Sequence, residues 1–421
     1  MANILICTVG VYSHINTLSG VAKRLVAAGH KVRLLLQRIQ HVNALGRQGY
    51  KIYCTTPSTD VNIPDEQLEV ECSIEADKCL ERIKPDLVLA DAEWHEVIVR
   101  SLKLNLNIVG LDFHCSPDRW SNVPPLNSHY IPSSRIVSRI RCQLEWQKSL
   151  GRRRKRGVVD NQIKSLAMIV GESEQTIRSI IAVDHWQPMR FNNIDYWSLT
   201  AEQFDFPHSE PGASRYMGPC IDYARSEDKG DAEFERWFEK TTKNERSGRF
   251  VFASLGSLVQ DESWIEGIIE AAKIKTDWSW LVTTPTKHIS EKISDLPENI
   301  HITGSAPQLR VLNYCDVMLA GAGIASIHEC ISTSTPMVAY SLGVLDQNGN
   351  AARVHYHGIG QMSRAGQDSA EVIVDRVNDL SSNKICISKM AVLKTCLEEY
   401  DDQQILENEV EKTLNGTTIH G

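Results

Sequence analysis

Five short segments of this chain hold residues whose types and spacing could do chemistry. The first is His14, which follows the apolar run Ile4-Leu5-Ile6-Cys7-Thr8-Val9. An imidazole titrates near neutrality and can take a proton from a hydroxyl. The second is Asp91, at the end of the apolar run Leu87-Val88-Leu89-Ala90. A carboxylate beside an imidazole holds one tautomer and raises its basicity. Both residues also have plainer readings, His14 as a helix-entry side chain and Asp91 as the cap of a helix beginning near Glu93. The loop Gly10-Val11-Tyr12-Ser13 lacks the G-x-G-x-x-G pattern, so a dinucleotide site is a poor reading.

The other three segments lie in the second half. Gly256-Ser257 follows the run Phe250-Val251-Phe252-Ala253-Ser254-Leu255, where a bare backbone and a hydroxyl suit phosphate oxygens. In Ala320-Gly321-Ala322-Gly323-Ile324-Ala325-Ser326-Ile327-His328-Glu329, small residues turn the chain into a helix starting near Gly323. Unpaired amides at such a start, with the helix dipole behind them, attract a diphosphate. Ser326 and Glu329 are three residues apart and share one helix face, where the carboxylate suits ribose hydroxyls. Tight helix–sheet packing through the small residues is the structural alternative. Asp346-Gln347 pairs a carboxylate with an amide at a strand–helix junction, a set that suits vicinal sugar hydroxyls; an N-cap explains Asp346 alone equally well.

The elements that must position these residues alternate. Buried-strand runs are predicted at 4–9, 31–36, 85–91 and 107–111, with helical spacing in Leu18, Val21, Leu25 and Val26, closed by Gly29, and again from Glu93 to about Leu104. The rhythm restarts with strands at 250–255, 278–282, 300–302, 316–319 and 337–340, and a long helical tail runs from about Ile387 to Leu414. The fold class is therefore α/β, with two Rossmann-like doubly wound domains, parallel sheets covered on both faces. Boundaries are expected at 1–218 for the first domain, 219–245 for a linker, 246–395 for the second domain and 396–421 for a C-terminal helix packing back on the first.

The 421 residues exceed what one core usually organises. A net charge of −8 argues against a nucleic-acid partner held through phosphates. The eleven cysteines are scattered, with no C-x-x-C pair and no zinc-like spacing, which reads as reduced thiols. No signal peptide and no apolar run of membrane-spanning length is present, so a cytoplasmic location is expected.

Taken in order, the second-half segments resemble the donor-binding domain of the family 1 glycosyltransferases. The shared box is Ala306-Pro307-Gln308, Gly321 to Ser326, Glu329, Pro336-Met337, Asp346-Gln347 and Asn350-Ala351. The opening Tyr12-Ser13-His14 and Ala27-Ala28-Gly29-His30 look like that family's start, especially its bacterial macrolide and carotenoid branches. The resemblance implies a GT-B fold, with an acceptor-binding first domain and a nucleotide-sugar-binding second domain facing across a cleft. It implies inverting, metal-independent transfer from a nucleoside-diphosphate sugar (UDP or dTDP) to a hydroxyl of a small-molecule, lipophilic acceptor. The donor is then a co-substrate, with no other cofactor, and the chain has no D-x-D motif.

Carried over by position, the resemblance makes His14 the base and Asp91 its partner. It puts Gly256, Ser257, Gly321, Gly323 and Ser326 at the diphosphate, Ala306 and Gln308 at the nucleoside, Glu329 at the ribose, and Asp346 and Gln347 at the sugar. Two positions depart from the family. Gly321 stands where a His commonly opens the glycine-rich turn, and Ser305 stands where many members have a Trp on the base. A non-catalytic nucleotide-sugar or glycan binder, and a sugar-nucleotide epimerase on the same fold, are the alternatives.

Residues 117 to 215 carry no readable motif. They offer Trp120, Trp146, Trp186 and Trp197 as aromatic candidates for an acceptor. Within them, residues 135–156 hold nine Arg or Lys and one acid, Glu145. This reads first as a solvated basic face, and in second place as a peripheral contact with anionic lipid.

Overall fold

The computed structural model describes residues 1–38, 50–55, 70–182, 189–208, 212–243, 248–256, 261–284 and 296–416. They form two compact units. The first comprises Met1–Pro125, Ser133–Asp222 and Glu399–Gly421, and the second Leu126–Pro132 and Tyr223–Glu398.

The strands of the first unit are β1 (Asn3–Thr8), β2 (Lys31–Leu36), β3 (Lys51–Cys54), β4 (Val70–Glu71), β5 (Leu87–Asp91), β6 (Ile108–Asp112), β7 (Asp195–Ser198) and β8 (Ser214–Tyr216). They form one parallel sheet in the order β4-β3-β2-β1-β5-β6-β7-β8. The near-continuous apolar runs of β1 and β5 follow from burial on both faces: all five residues of β5 are buried. The chain leaves β1 toward one edge, then returns to lay β5 on its other side, with Cys7 paired to Ala90. Such a reversal opens a crevice at the carboxyl ends of the two strands.

The helix Tyr12–Ala27 buries Leu18, Val21 and Leu25 of the predicted stripe together with Ile15 and Ala22, while Val26, also expected in it, is exposed near the helix end. It also presents Gly20 to the backbone of Cys220. A Cβ at that position would lie 1.8 Å from the Cys220 carbonyl oxygen. Beside it, Asp222 accepts hydrogen bonds from the Ser19 hydroxyl at 2.9 Å and the Lys23 ammonium at 2.6 Å. Leu406 and Val410 of the helix Ile405–Leu414 join the same core, and Arg24 grips Glu407 at 2.7 Å.

The strands of the second unit are β9 (Phe250–Ser254), β10 (Ser279–Thr283), β11 (Ile300–Thr303), β12 (Val317–Gly321), β13 (Met337–Ser341) and β14 (Gly360–Arg364). Their parallel order is β11-β10-β9-β12-β13-β14, so the same reversal occurs between β9 and β12. The core is built on Val251, Trp280, Leu319, Val338 and Tyr340.

Three local expectations change. The irregular middle contains the helices Ile136–Lys155, Val158–Val170 and Glu174–Ile180. The helical tail is two helices, Lys384–Asp402 and Ile405–Leu414, broken at Gln404 with φ +51°. Trp146 and Trp197 are core residues, Trp146 donating its indole N–H to the Val123 carbonyl at 2.8 Å, while Trp120 stacks on His208; Trp186 lies outside the described residues. None of the eleven cysteines is in a disulfide.

Gly20→Ala gains about 1 kcal/mol of helix propensity but must push the Cys220 backbone aside. The expected net result in urea unfolding is a loss of about 1–3 kcal/mol, the usual cost of overpacking.

Candidate functional site

In the first unit the strand reversal brings His14 and Asp91 together. His14 Nδ1 lies 2.8 Å from Asp91 Oδ2. The Asp91 side chain is wholly buried and the His14 side chain is 14% exposed, so the pair is anchored inside with its imidazole at the rim. The Thr8 hydroxyl donates to Asp91 Oδ2 at 3.1 Å and the Val9 N–H at 3.4 Å, while the Glu93 N–H donates to Oδ1 at 3.0 Å. Burial alone would push this carboxyl up, but the His14 imidazole and these donors outweigh it and hold it below the usual carboxylate range. The helix after Asp91 begins at His95 with Trp94 as its cap residue, so Asp91 closes the turn before the helix and is not its cap.

Sequence reasoning missed one member of this set. Phe113, just beyond β6, stacks on the His14 ring with centroids 3.9 Å apart and planes 7° from parallel. Asp91 at one ring edge and Phe113 on one face leave the imidazole little rotational freedom. The only signal was position: β6 is the next strand after β5 in the sheet, so the residue beyond its end reaches the same rim. With the Nδ1 proton donated to Asp91, Nε2 becomes the ring's acceptor in the neutral tautomer.

The second unit gathers its residues at the equivalent reversal. Ser254 of β9 pairs with Ala320 of β12, so the turns leaving both strands are neighbours. Gly256 has φ +83° and its N–H meets the Ser254 hydroxyl at 3.3 Å; Ser257 lies outside the described residues. A Cβ on Gly321 would lie 2.7 Å from the Leu255 carbonyl oxygen, so glycine there follows from close strand contact. A Cβ on Gly323 would meet nothing within 4 Å, so packing does not demand glycine at that position. Gly323 is the cap residue of the helix Ile324–Thr333 and makes no side-chain capping bond. The small-residue turn thus serves packing at one glycine and leaves open space at the other.

Gln308, Ser326 and Glu329 converge. Gln308 Nε2 donates to Glu329 Oε2 at 2.7 Å and to Ser326 Oγ at 3.2 Å. The other Glu329 oxygen accepts from Arg225 at 2.9 Å, in a pair whose side chains are 15% and 6% exposed. Arg225 is a second residue that the sequence did not single out. It comes from a polar segment read as a linker, and only tertiary contact identifies it. Ala306, half-buried, leads through Pro307 into the short helix that carries Gln308.

Asp346 sits at the cap position of the helix Gln347–His357 but makes no capping bond with its side chain. Its carboxylate accepts from Asn350 Nδ2 at 2.9 Å, and the same amide donates to the Ala322 carbonyl at 3.0 Å. Fully buried Asn350 therefore ties Asp346 to the glycine-rich turn. Gln347 turns its side-chain oxygen to the Leu342 N–H at 3.1 Å. Behind them, Asn348 donates to the Asn127 carbonyl at 2.9 Å and the Gly349 N–H to the Leu126 carbonyl at 3.0 Å. A Cβ on Gly349 would lie 2.1 Å from that Leu126 oxygen, so the segment Leu126–Pro132 seats against this helix only because residue 349 is glycine.

No family model matches the chain. It is 25% identical over 126 residues to the oleandomycin glycosyltransferase of Streptomyces antibioticus, covering 30% of this chain and 29% of that one. It is 24% identical over 211 residues to the zeaxanthin glucosyltransferase of Pantoea ananas, covering 49% and 46% respectively. The chain thus spans less than half the length of the curated relatives it matches. Solved structures match over nearly the whole chain. The glycotransferase of kitacinnamycin superposes with TM-score 0.69 at 17% identity, covering 98% of this chain and 99% of that one. The glycosyltransferase VinC, solved in complex with dTDP, does so with TM-score 0.61 at 14% identity, covering 98% of each.

Burial also shifts a titration in the second unit. His328, between Ser326 and Glu329, is fully buried, and burial pushes its imidazole down from 6.5 to about 3. A base whose folded pKa is lowered stays neutral while the unfolded chain takes up its proton. Stability is therefore expected to fall as pH drops from about 6.5 toward 3, at about 1.4 kcal/mol per pH unit. His95, which burial lowers to about 4, adds its own loss over the same window, so in denaturant unfolding His328→Leu should remove about 1.4 kcal/mol per pH unit of the slope and leave the His95 part.

By fold the chain is a GT-B protein of two Rossmann-like units, and by sequence it is similar to the macrolide- and carotenoid-type glycosyltransferases.

Proposed function

We propose that this protein is an inverting, metal-independent glycosyltransferase. It moves a sugar from a UDP or dTDP donor to a hydroxyl of a small, lipophilic natural-product acceptor. The observation that carries the reading is the 2.8 Å contact of His14 Nδ1 with a wholly buried Asp91 at a strand reversal. A binding module has no use for an imidazole held in one tautomer by a buried carboxylate.

In this reaction His14 Nε2 takes the acceptor hydroxyl proton as the oxygen attacks the anomeric carbon. The bond from that carbon to the donor diphosphate breaks, the nucleoside diphosphate leaves with the electron pair, and Asp91 stabilises the imidazolium. The N-terminus of the helix Ile324–Thr333 stabilises the departing charge, and Gly256, Ser257, Gly321, Gly323 and Ser326 are assigned to the diphosphate. Ala306 and Gln308 hold the nucleoside, Glu329 the ribose, and Asp346 and Gln347 the sugar. The donor is the co-substrate and no further cofactor takes part. Eleven cysteines outside disulfides suit a reducing, cytoplasmic setting.

Two measurements test this. In a thermal-shift panel of nucleotide sugars, the matching donor at a hundredfold excess over its dissociation constant should stabilise the protein by about 2.7 kcal/mol. With that donor and pooled lipophilic acceptors, His14→Ala should lower kcat by about 10²–10⁴-fold while the thermal shift persists. Near-normal transfer by His14→Ala would remove His14 as the base. Donor binding with no turnover would point to a non-catalytic binder, and a changed donor sugar without any acceptor would point to an epimerase.

A further inference from the structure

The helix Ile136–Lys155 carries four aliphatic side chains on the wrong side for a core. Ile136 is 76% exposed, Val137 73%, Ile140 58% and Leu144 57%. The residues it buries are Ser138, Cys142, Trp146 and Ser149, four and three apart along one stripe. At about 100° per residue, the aliphatics fall on the opposite side, facing water. The outward side then changes character along the helix. Lys148, Arg154 and Lys155 continue it beyond Leu144, all exposed, and exposed Arg139 and Arg141 flank it. The single acid of the stretch, Glu145, is half-buried toward the edge of the inward stripe.

We infer that this helix lies flat on an anionic lipid surface. Four clustered aliphatics exposed to water cost free energy that a solvated charged face would avoid, and such patches on soluble proteins mark contact surfaces. A nucleic acid would use the basic residues but has no place for the aliphatics. An apolar protein partner would use the aliphatics but has no place for exposed Arg139, Arg141, Lys148, Arg154 and Lys155 beside them. A headgroup layer over acyl chains takes both, with aliphatics at the acyl boundary and ammonium and guanidinium groups among the phosphates. The local charge is opposite in sign to the chain's net −8. The helix is 20 residues long, about 30 Å, and among the described residues no helix is long and apolar enough to cross a membrane. The contact is therefore peripheral. It is independent of the transferase reading, since it uses none of the residues assigned to donor or base.

The test is co-sedimentation of the full chain with vesicles of phosphatidylcholine and phosphatidylglycerol in equal parts, against phosphatidylcholine alone. Binding is expected to the mixed vesicles only and to weaken with salt. Neutralising Arg154 and Lys155 together (Arg154→Gln, Lys155→Gln) should weaken it about fivefold per residue. Ile140→Ser with Leu144→Ser should weaken it about tenfold or more. Both pairs are exposed, so melting temperatures should stay unchanged, and the charge pair keeps the test alive should the serine pair fold poorly. Equal binding to both vesicle types, binding indifferent to the serine pair, or no binding overturns the inference. Self-association of the wild type that the serine pair abolishes, seen by sedimentation velocity, also overturns it and assigns the face to a second copy.

Discussion

Burying a carboxylate without water costs several kcal/mol unless other groups replace its hydration. Asp91 is wholly buried, and its replacement donors come from two strand ends at once. Thr8 and Val9 belong to the exit of β1, Glu93 to the turn after β5, and His14 to the helix that follows β1. Apart from the local Glu93 bond, none of these contacts exists unless β1 and β5 are neighbours in register, which requires the chain to reverse direction across the sheet between them. The charge, the topology and the orientation of His14 are therefore one constraint. Asn in place of Asp91 would preserve the shape, but its side chain could also present a donor to Nδ1, and the imidazole would lose the reason to hold its proton there.

The second unit meets the same topological situation with different chemistry. At its reversal no buried carboxylate ends a strand. Gly321 lets β12 pass against the Leu255 carbonyl, and the amide of Asn350 joins the turn at Ala322 to Asp346. Preorganisation comes here from backbone proximity and a neutral amide, which suits the diphosphate proposed for this site. A buried carboxylate at that strand end would repel a diphosphate. Among the described residues the buried acid nearby, Glu329, is set back by about one and two-thirds helical turns from Gly323 and paired with Arg225.

The fold was legible where burial and hydrophobicity coincide. β1, β5, β9 and β13 are apolar runs because both of their faces are covered, and the helix Tyr12–Ala27 has an aliphatic stripe. It was illegible where they part. The helix Ile136–Lys155 buries two serines, a cysteine and a tryptophan and exposes its aliphatics, so periodicity points away from its true inward side. β14 (Gly360–Arg364) is a polar edge strand with one buried residue, and β7 opens on Asp195. At the site, the positions of His14 and Asp91 followed from strand ends, and Gln308, Ser326 and Glu329 from an ordered motif. Phe113, Arg225 and Asn127 could not be found that way, because each acts only through a contact made far along the chain.

The Glu329 cluster bears on what the second unit can hold. An ionised carboxylate offers about four lone-pair sites, and Arg225 and Gln308 occupy one on each oxygen. Two remain, the number that a vicinal diol needs if each hydroxyl donates once. Because Arg225 holds Oε1 and Gln308 holds Oε2, the plane of the carboxylate is set before any ligand arrives, and little side-chain entropy is left to lose on binding. Removing Gln308 would free that plane while keeping the charge; removing Arg225 would leave a carboxylate in a nearly buried site without its counter-ion. The two losses differ in kind, one of orientation and one of electrostatics, although both residues touch the same side chain.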